Sequence, residues 1–261
     1  MTLSFDALAE QFDDQRGLPA NALRHLVAFV DEIARGRTLT IVEPGIGTGR
    51  ISLPLAASGH RIVGIDISRP MLDACARKAA TLRVEERVTL IEGDATAIPR
   101  EDDSCDVGIF ASLLYLVRDW EGVLDEFARI VRPGGAVVWI RERTERGGAL
   151  ALWDIGWRTR VETAGFRHQA ASPAEDEILA ALQRRWPDVI TEPLASWTFG
   201  QSVGQARDGY GERLRSLYPA IPDDTWSVLV QDFLHWAETL FLDPDGRLDG
   251  QVMLEAVVAW T

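Results

Sequence analysis

Between residues 38 and 141, short apolar runs alternate with amphipathic stretches, the order expected when strands and helices take turns in a parallel sheet. Strands are predicted over TLTIVE (38–43), RIVGID (61–66), RVTLIE (87–92), CDVGIF (105–110) and AVVWIR (136–141). Their richness in Val and Ile suits strands covered on both faces. Helix-start signals fall between them. Ser68 with Pro70 suits an N-cap region, and Asp119 precedes a stretch in which Val123, Leu124, Phe127, Ile130 and Val131 share one face. An earlier helix over 19–35 carries Leu23, Leu26, Val27, Val30 and Ile33 on one stripe.

After residue 141 the pattern changes, because helical stretches intervene before the next strand-like run, 188–199. Ser172-Pro-Ala-Glu175 reads as a capping box, opening a helix that turns Ile178, Leu179 and Leu182 inward. An amphipathic region over 222–241 leads to the loop DPDGRLDG and a strand over 251–260. The predicted architecture is one Rossmann-like α/β domain over 1–261, a three-layer sandwich. Its seven-stranded sheet is mostly parallel with the last strand antiparallel. Residues 38–141 form the ligand-binding core, and helical insertions over 142–187 and 200–245 form a lid.

The 27 Lys and Arg against 40 Asp and Glu leave a net charge of −13, which repels a phosphate backbone and argues against nucleic acid as a partner. Cys75 and Cys105 are too few for a disulfide framework or a thiolate metal site, which favours a cytoplasmic location. The opening MTLSFDALAEQFDDQ shows neither the basic nor the apolar region of an export signal, and no window reaches the uninterrupted apolar length of a membrane span. The oligomeric state is left open, a dimer included.

The most informative stretch is Glu43-Pro44-Gly45-Ile46-Gly47-Thr48-Gly49-Arg50, which joins an apolar strand to a helix expected near Thr48. Glycines at such a turn permit open backbone and close ligand approach. The spacing departs from the GxGxxG of nicotinamide and flavin proteins, and the Gly-Lys-Ser/Thr ending of a Walker loop is absent. Glu43 puts a carboxylate where a pyrophosphate would be repelled and an ammonium or sulfonium attracted. Asp66 closes the second strand, where a carboxylate accepts from both ribose hydroxyls, and Asp94 in Gly93-Asp94-Ala95 stands where an adenine amine is read. Each acid also has a plain structural reading as a helix cap or solvated charge.

Over residues 38–141 the sequence resembles the class I S-adenosylmethionine-dependent methyltransferases. Val42 to Gly49 match the first motif, Ile65-Asp66 with Met71 the second, Gly93-Asp94-Ala95 the third and Arg132-Pro133-Gly134-Gly135 the post-strand motif. The later part is similar to small-molecule methylases of the quinone and sterol type. The resemblance implies S-adenosylmethionine as cofactor and a small-molecule substrate. It places Gly45, Gly47 and Gly49 along the methionine and ribose, Glu43 at the amino group, and Asp66 on the ribose. Ile67 and Met71 fall on the adenine face, Asp94 and Ala95 at the adenine amine, Ala111 near the methionyl ammonium and Arg16 at the cofactor carboxylate.

Methyl transfer from a sulfonium is an in-line displacement governed mainly by orientation. Related methylases carry a Leu-His-His-Leu pattern after the fourth strand, whereas this chain has Ser112-Leu113-Leu114-Tyr115-Leu116, so Tyr115 becomes the catalytic candidate. Trp139 and Arg141 sit where the fifth strand delivers side chains toward an acceptor, Arg141 as a clamp for an acidic one. Trp153 and Trp157, one helical turn apart, offer an aromatic roof or simply core. The histidines form no metal-binding spacing, and His235 is expected at an interior or boundary position. Asp243-Pro-Asp245-Gly246 lacks a calcium-loop register and reads as a turn. Two other readings stay open, a non-catalytic adenosyl-cofactor-binding protein and a nicotinamide-dependent oxidoreductase.

Overall fold

A computed structural model describes residues 18–145, 148–166, 173–207 and 221–261. Arg16, Ser172 and His168 lie outside the described residues. The strands are β1 (Thr40–Pro44), β2 (Arg61–Asp66), β3 (Val88–Glu92), β4 (Cys105–Ala111), β5 (Val131–Glu145), β6 (Asp188–Ser202) and β7 (Arg247–Trp260). The helices are α1 (Ala20–Ala34), α2 (Ser52–Ala57), α3 (Arg69–Leu82), α4 (Trp120–Ile130), α5 (Gly148–Thr163), α6 (Glu175–Arg185) and α7 (Asp223–Leu240).

One sheet of seven strands has the order β3-β2-β1-β4-β5-β7-β6. β1 pairs in parallel with β2 and β4, β2 with β3, and β4 with β5, and the last strands are antiparallel. At the end of β7, Thr261 exchanges backbone hydrogen bonds with Gly134 and Gly135 at the start of β5, the reciprocal pattern of antiparallel partners. Central β1, β2 and β4 are buried along most of their length. β3, at one edge, has only partly buried and exposed positions, and β6, at the other, is largely exposed. Edge position, not composition, explains why RVTLIE is wetter than its neighbours.

The caps form where expected at two helices. The Ser68 hydroxyl accepts from Met71 N–H at 3.3 Å, and the Asp119 carboxylate accepts from Gly122 N–H at 3.2 Å. Two boundaries differ. The helix after the glycine loop begins at Ser52, not near Thr48, because the turn continues through Thr48 to Ile51. At α6 the N-cap is Ala174, whose N–H donates to the Glu177 carboxylate at 2.7 Å, so the capping acid is Glu177.

The chain divides into two compact units. The first comprises the described residues of 1–142, 172–195 and 254–261, and the second those of 143–171 and 196–253. These bounds differ from the expected insertions over 142–187 and 200–245, and α6 is the reason. Its Ile178, Ala181 and Leu182, with Trp186, share one buried cluster with Phe127 and Ile130 of α4, and Arg185 pairs with Glu121 and Asp125. α6 is therefore part of the first unit's core.

In the second unit α5 and α7 share an aromatic core. Trp153 meets Phe233 edge to face at 5.1 Å, and Trp157 meets Trp226 at 5.2 Å and Phe233 at 5.6 Å. Gly156 lies directly under the Trp236 ring, where a Cβ would come within 2.0 Å of ring carbons. Arg160 stacks over the Trp236 ring, 4.8 Å from its centroid, and pairs with Asp232 at 2.6 Å. Trp153 and Trp157 are 1 and 3 % exposed. Of the two readings offered for them, the structure supports the packing one.

Candidate functional site

In the strand order, β1 is flanked by β2 on one side and β4 on the other, so the connections run in opposite directions from this point. A crevice opens outside the carboxyl ends of the strands at such a switch. β1 ends there on Glu43 and Pro44, β2 on Asp66 and β4 on Ala111.

The loop 45–50 is built by backbone conformation. Gly45, Gly47 and Gly49 have φ of 69°, 55° and 79°, the left-handed region that side chains disfavour. The N–H groups of Gly45 and Ile46 both donate to the Ile65 carbonyl, at 2.7 and 3.1 Å, and that of Gly47 donates to Asp66 Oδ2 at 2.8 Å. Asp66 Oδ1 accepts from Ser68 N–H at 2.9 Å. One carboxylate thus ties the turn after β1 to the turn after β2. The glycines differ in what surrounds them. A Cβ at Gly49 would come within 2.6 Å of Leu53 and 2.8 Å of the Cys75 sulfur, so this position serves packing. A Cβ at Gly47 would meet nothing within 4 Å, and the loop face there is open for a ligand to approach.

Glu43 is 3 % exposed and accepts a hydrogen bond from the Ser52 hydroxyl. Burial pushes its carboxyl from 4.5 up to about 8, the nearby Asp66 charge adding to the effect while Ser52 and Arg50 oppose it. A buried carboxyl beneath an open glycine loop suits a cationic ligand group, whose charge would favour the ionised form. Arg50 leaves the loop to pair with Glu142 of β5 at 2.9 Å. Ser52 went unnoticed in the sequence, although a serine at the start of the helix after the loop is the signal that finds it.

The remaining candidates fall at the ends of neighbouring strands. Ile67 is 46 % exposed, an apolar side chain left uncovered beside Asp66, whereas Met71 is buried. Asp94 is exposed and accepts from Thr96 N–H at 2.9 Å and from its hydroxyl at 2.8 Å, while Ala95 is buried. Beyond Ala111, Ser112 adopts φ 58°, and Leu113 folds back so that its Cδ1 lies 2.7 Å from where a Cβ on Gly45 would stand. Tyr115 is half-buried. Burial, and then the Glu175 carboxylate, push its phenol up to about 12 against the opposing charge of Arg141.

Two substrate assignments change. Trp139 is 1 % exposed and stacks on Phe110 with centroids 6.2 Å apart, so its ring belongs to the core. Arg141, one residue beyond the pair Ala111–Ile140, donates from Nε to Glu255 at 2.7 Å and from Nη1 to Glu175 at 3.4 Å. Two carboxylates hold the guanidinium expected to clamp an acidic substrate. His60 is buried, taking Leu39 N–H at Nδ1 and meeting Asp31 at 3.0 Å, and His235 is exposed instead of lying at an interior or boundary position. Among the described residues no group of His, Cys, Asp and Glu could hold a metal ion. The 243–246 segment is a turn, with Gly246 N–H bonded to the Asp243 carbonyl at 3.0 Å.

A mostly parallel sheet whose switch point carries a left-handed glycine loop between two acids defines a Rossmann-like protein for an adenosyl ligand. Comparison with known proteins narrows the class. A methyltransferase domain family model matches residues 42–139. A ubiquinone/menaquinone biosynthesis C-methyltransferase of Syntrophotalea carbinolica is 32 % identical over 138 residues, covering 51 % of this chain and 57 % of its own length. A demethylmenaquinone methyltransferase of Mycolicibacterium paratuberculosis is 30 % identical over 195 residues, covering 70 % of this chain and 77 % of its own. The crystal structure of the YcgJ protein of Bacillus subtilis superposes with a TM-score of 0.58 at 16 % identity, covering 91 % of this chain and 99 % of that one, which shows the shared fold. The chain belongs to the class I S-adenosylmethionine-dependent methyltransferases. It spans little more than half the length of the first of these relatives. Among the described residues no helix is long and apolar enough to cross a membrane.

Proposed function

We propose that this chain transfers the methyl group of S-adenosylmethionine to a small-molecule acceptor. The observation that carries the reading is the buried Glu43 carboxyl beside a loop whose face at Gly47 is open, with nothing within 4 Å of where a Cβ would stand. When bound, the cofactor supplies an electrophilic methyl carbon on a sulfonium. Glu43 would hold its amino end, the loop of Gly45, Gly47 and Gly49 would run along its methionine and ribose with its open face at Gly47, and Asp66 would accept from the ribose hydroxyls. Ile67 and Met71 would flank the adenine, Asp94 and Ala95 would meet its amine, and Ala111 would offer backbone near the methionyl end. A pyrophosphate at the same loop would keep the Glu43 carboxyl protonated and gain no ion pair from it, which weighs against the nicotinamide reading.

The acceptor side is set by Tyr115 and Arg141. With its phenol pushed up to about 12, Tyr115 keeps its proton near neutrality, so it donates a hydrogen bond to the acceptor and does not serve as a base. Arg141 already faces Glu175 and Glu255, which supports an acceptor without an anionic group. The names of the two relatives support an aromatic ring of the quinone type. Cys75 and Cys105 are both buried and neither is in a disulfide, which supports a reducing compartment such as the cytoplasm.

Titration calorimetry with S-adenosylhomocysteine and with NAD tests the reading. Binding of the first alone is expected, and binding of NAD alone would overturn it. Turnover of S-adenosylmethionine against a panel of quinols and phenols then separates an enzyme from a protein that only binds. Tyr115→Phe is expected to lower kcat about tenfold, the worth of one lost hydrogen bond, with S-adenosylhomocysteine affinity unchanged. Full activity in that variant places the acceptor elsewhere.

A further inference from the structure

The segment from Gly93 to Ser104 joins β3 to β4 without entering the sheet, and it carries Asp94 and Ala95 at its start. Two side chains of α4 hold its backbone. Glu126 Oε2 accepts from Ile98 N–H at 2.7 Å, and Arg129 Nη2 donates to the Ile98 carbonyl at 2.9 Å. Arg129 Nη1 reaches the Arg100 carbonyl at 2.6 Å and Asp102 Oδ1 at 2.9 Å. The two side chains also grip each other, Nε to Oε1 at 2.9 Å and Nη2 to Oε2 at 2.7 Å, as residues one helical turn apart can. Both polar groups of the Ile98 peptide are thus taken as a neighbouring strand would take them.

The hold is transmitted toward the crevice over a short path. The Ile98 and Ala95 side chains are 3 and 6 % exposed and sit in the same buried cluster as Phe127 and Ile130. Between them the backbone makes a tight turn, Ala97 N–H donating to the Asp94 carbonyl at 3.1 Å, with the Asp94 carboxylate fastened on Thr96. A planar guanidinium paired through two nitrogens fixes orientation as well as distance, which a lysine or a lone hydrogen bond does not. Arg129 in turn holds the Glu126 carboxyl below the usual carboxylate range, so the fork stays charged on both sides near neutrality.

We propose that Glu126 and Arg129 are positioning residues for the donor's adenine, setting the register of residues 94–98 so that Asp94 and Ala95 stand at the end of β3. They touch no ligand themselves, and the proposal rests on the reading of Asp94 and Ala95 given above. Calorimetric affinities for S-adenosylhomocysteine and for S-inosylhomocysteine, its deaminated analogue, provide the test. The wild type is expected to prefer the adenosyl compound by about tenfold or more. In Arg129→Gln and Glu126→Ala that preference falls toward one, and Arg129→Lys, which keeps the charge without the fork, restores only part of it. A role confined to stability would lower the thermal midpoint and weaken both compounds equally. A wild-type ratio retained in a folded variant therefore overturns the proposal. Should Arg129→Gln fail to fold, Glu126→Ala, which removes the acceptor for Ile98 N–H and the partner of Arg129, decides by the same ratio. A wild-type ratio near one overturns instead the assignment of Asp94 and Ala95 to the adenine amine.

Discussion

Asp66→Ala is expected to weaken S-adenosylhomocysteine binding by about 2–3 kcal/mol, roughly a hundredfold, in titration calorimetry. Two losses combine. The carboxylate is the proposed acceptor for the ribose hydroxyls, and it also receives the N–H groups of Gly47 and Ser68 at 2.8 and 2.9 Å. Without it the glycine loop loses its tie to the turn after β2, so part of the binding energy goes into ordering the loop. Asp66→Asn separates the contributions, because the amide keeps one acceptor oxygen but not the charge. Its affinity should fall between the wild type and Asp66→Ala. An alanine variant that binds as the wild type does would refute the ribose assignment.

Glu43→Gln is expected to stabilise the protein and weaken the cofactor at once. Burial lifts the carboxyl to about 8 in the folded chain against its ordinary 4.5, so between those pH values the native state keeps a proton that the unfolded chain has released. The native state then binds more protons, and wild-type stability must decline as pH rises, at about 1.4 kcal/mol per pH unit at the steepest. Below the lower value the effect is absent. The glutamine variant lacks the slope, so urea unfolding should show a gap opening from pH 5 to pH 8 and reaching an order of magnitude of several kcal/mol. Parallel stability curves would show that Glu43 is ionised in the folded apo state. Binding should move the other way, by about tenfold or more at pH 8, because an amide cannot pair with the cofactor's ammonium. Wild-type binding at pH 7 should also release a proton, read as a dependence of the calorimetric enthalpy on the buffer, and the variant should release none.

What was legible in the sequence had local causes. Positive φ at the loop glycines follows from the turn chemistry of residues 45–49, and the Ser68 and Asp119 caps depend on partners three residues away. Strands β2 and β3 begin within a residue of their predicted positions because their Val and Ile runs end on polar residues. The environment of Arg141 was not legible. Its partners Glu175 and Glu255 lie 34 and 114 residues away, and nothing near position 141 marks them. The same holds for α6, whose apolar face reads identically whether it covers the first unit or the second. Trp139 misled for a related reason. A strand delivers side chains toward an acceptor and into the core at successive levels, and only the stacking on Phe110 shows which level this is.

The placement of β7 between β5 and β6 has a consequence for biogenesis. β5 and β6 are translated well before the strand that separates them, so a nascent chain leaves the ribosome with two raw sheet edges and no partner for either. The inner edges of β5 and β6 therefore find their partner only when β7 is made, and unpaired edges of this kind are the ones that favour pairing with another chain.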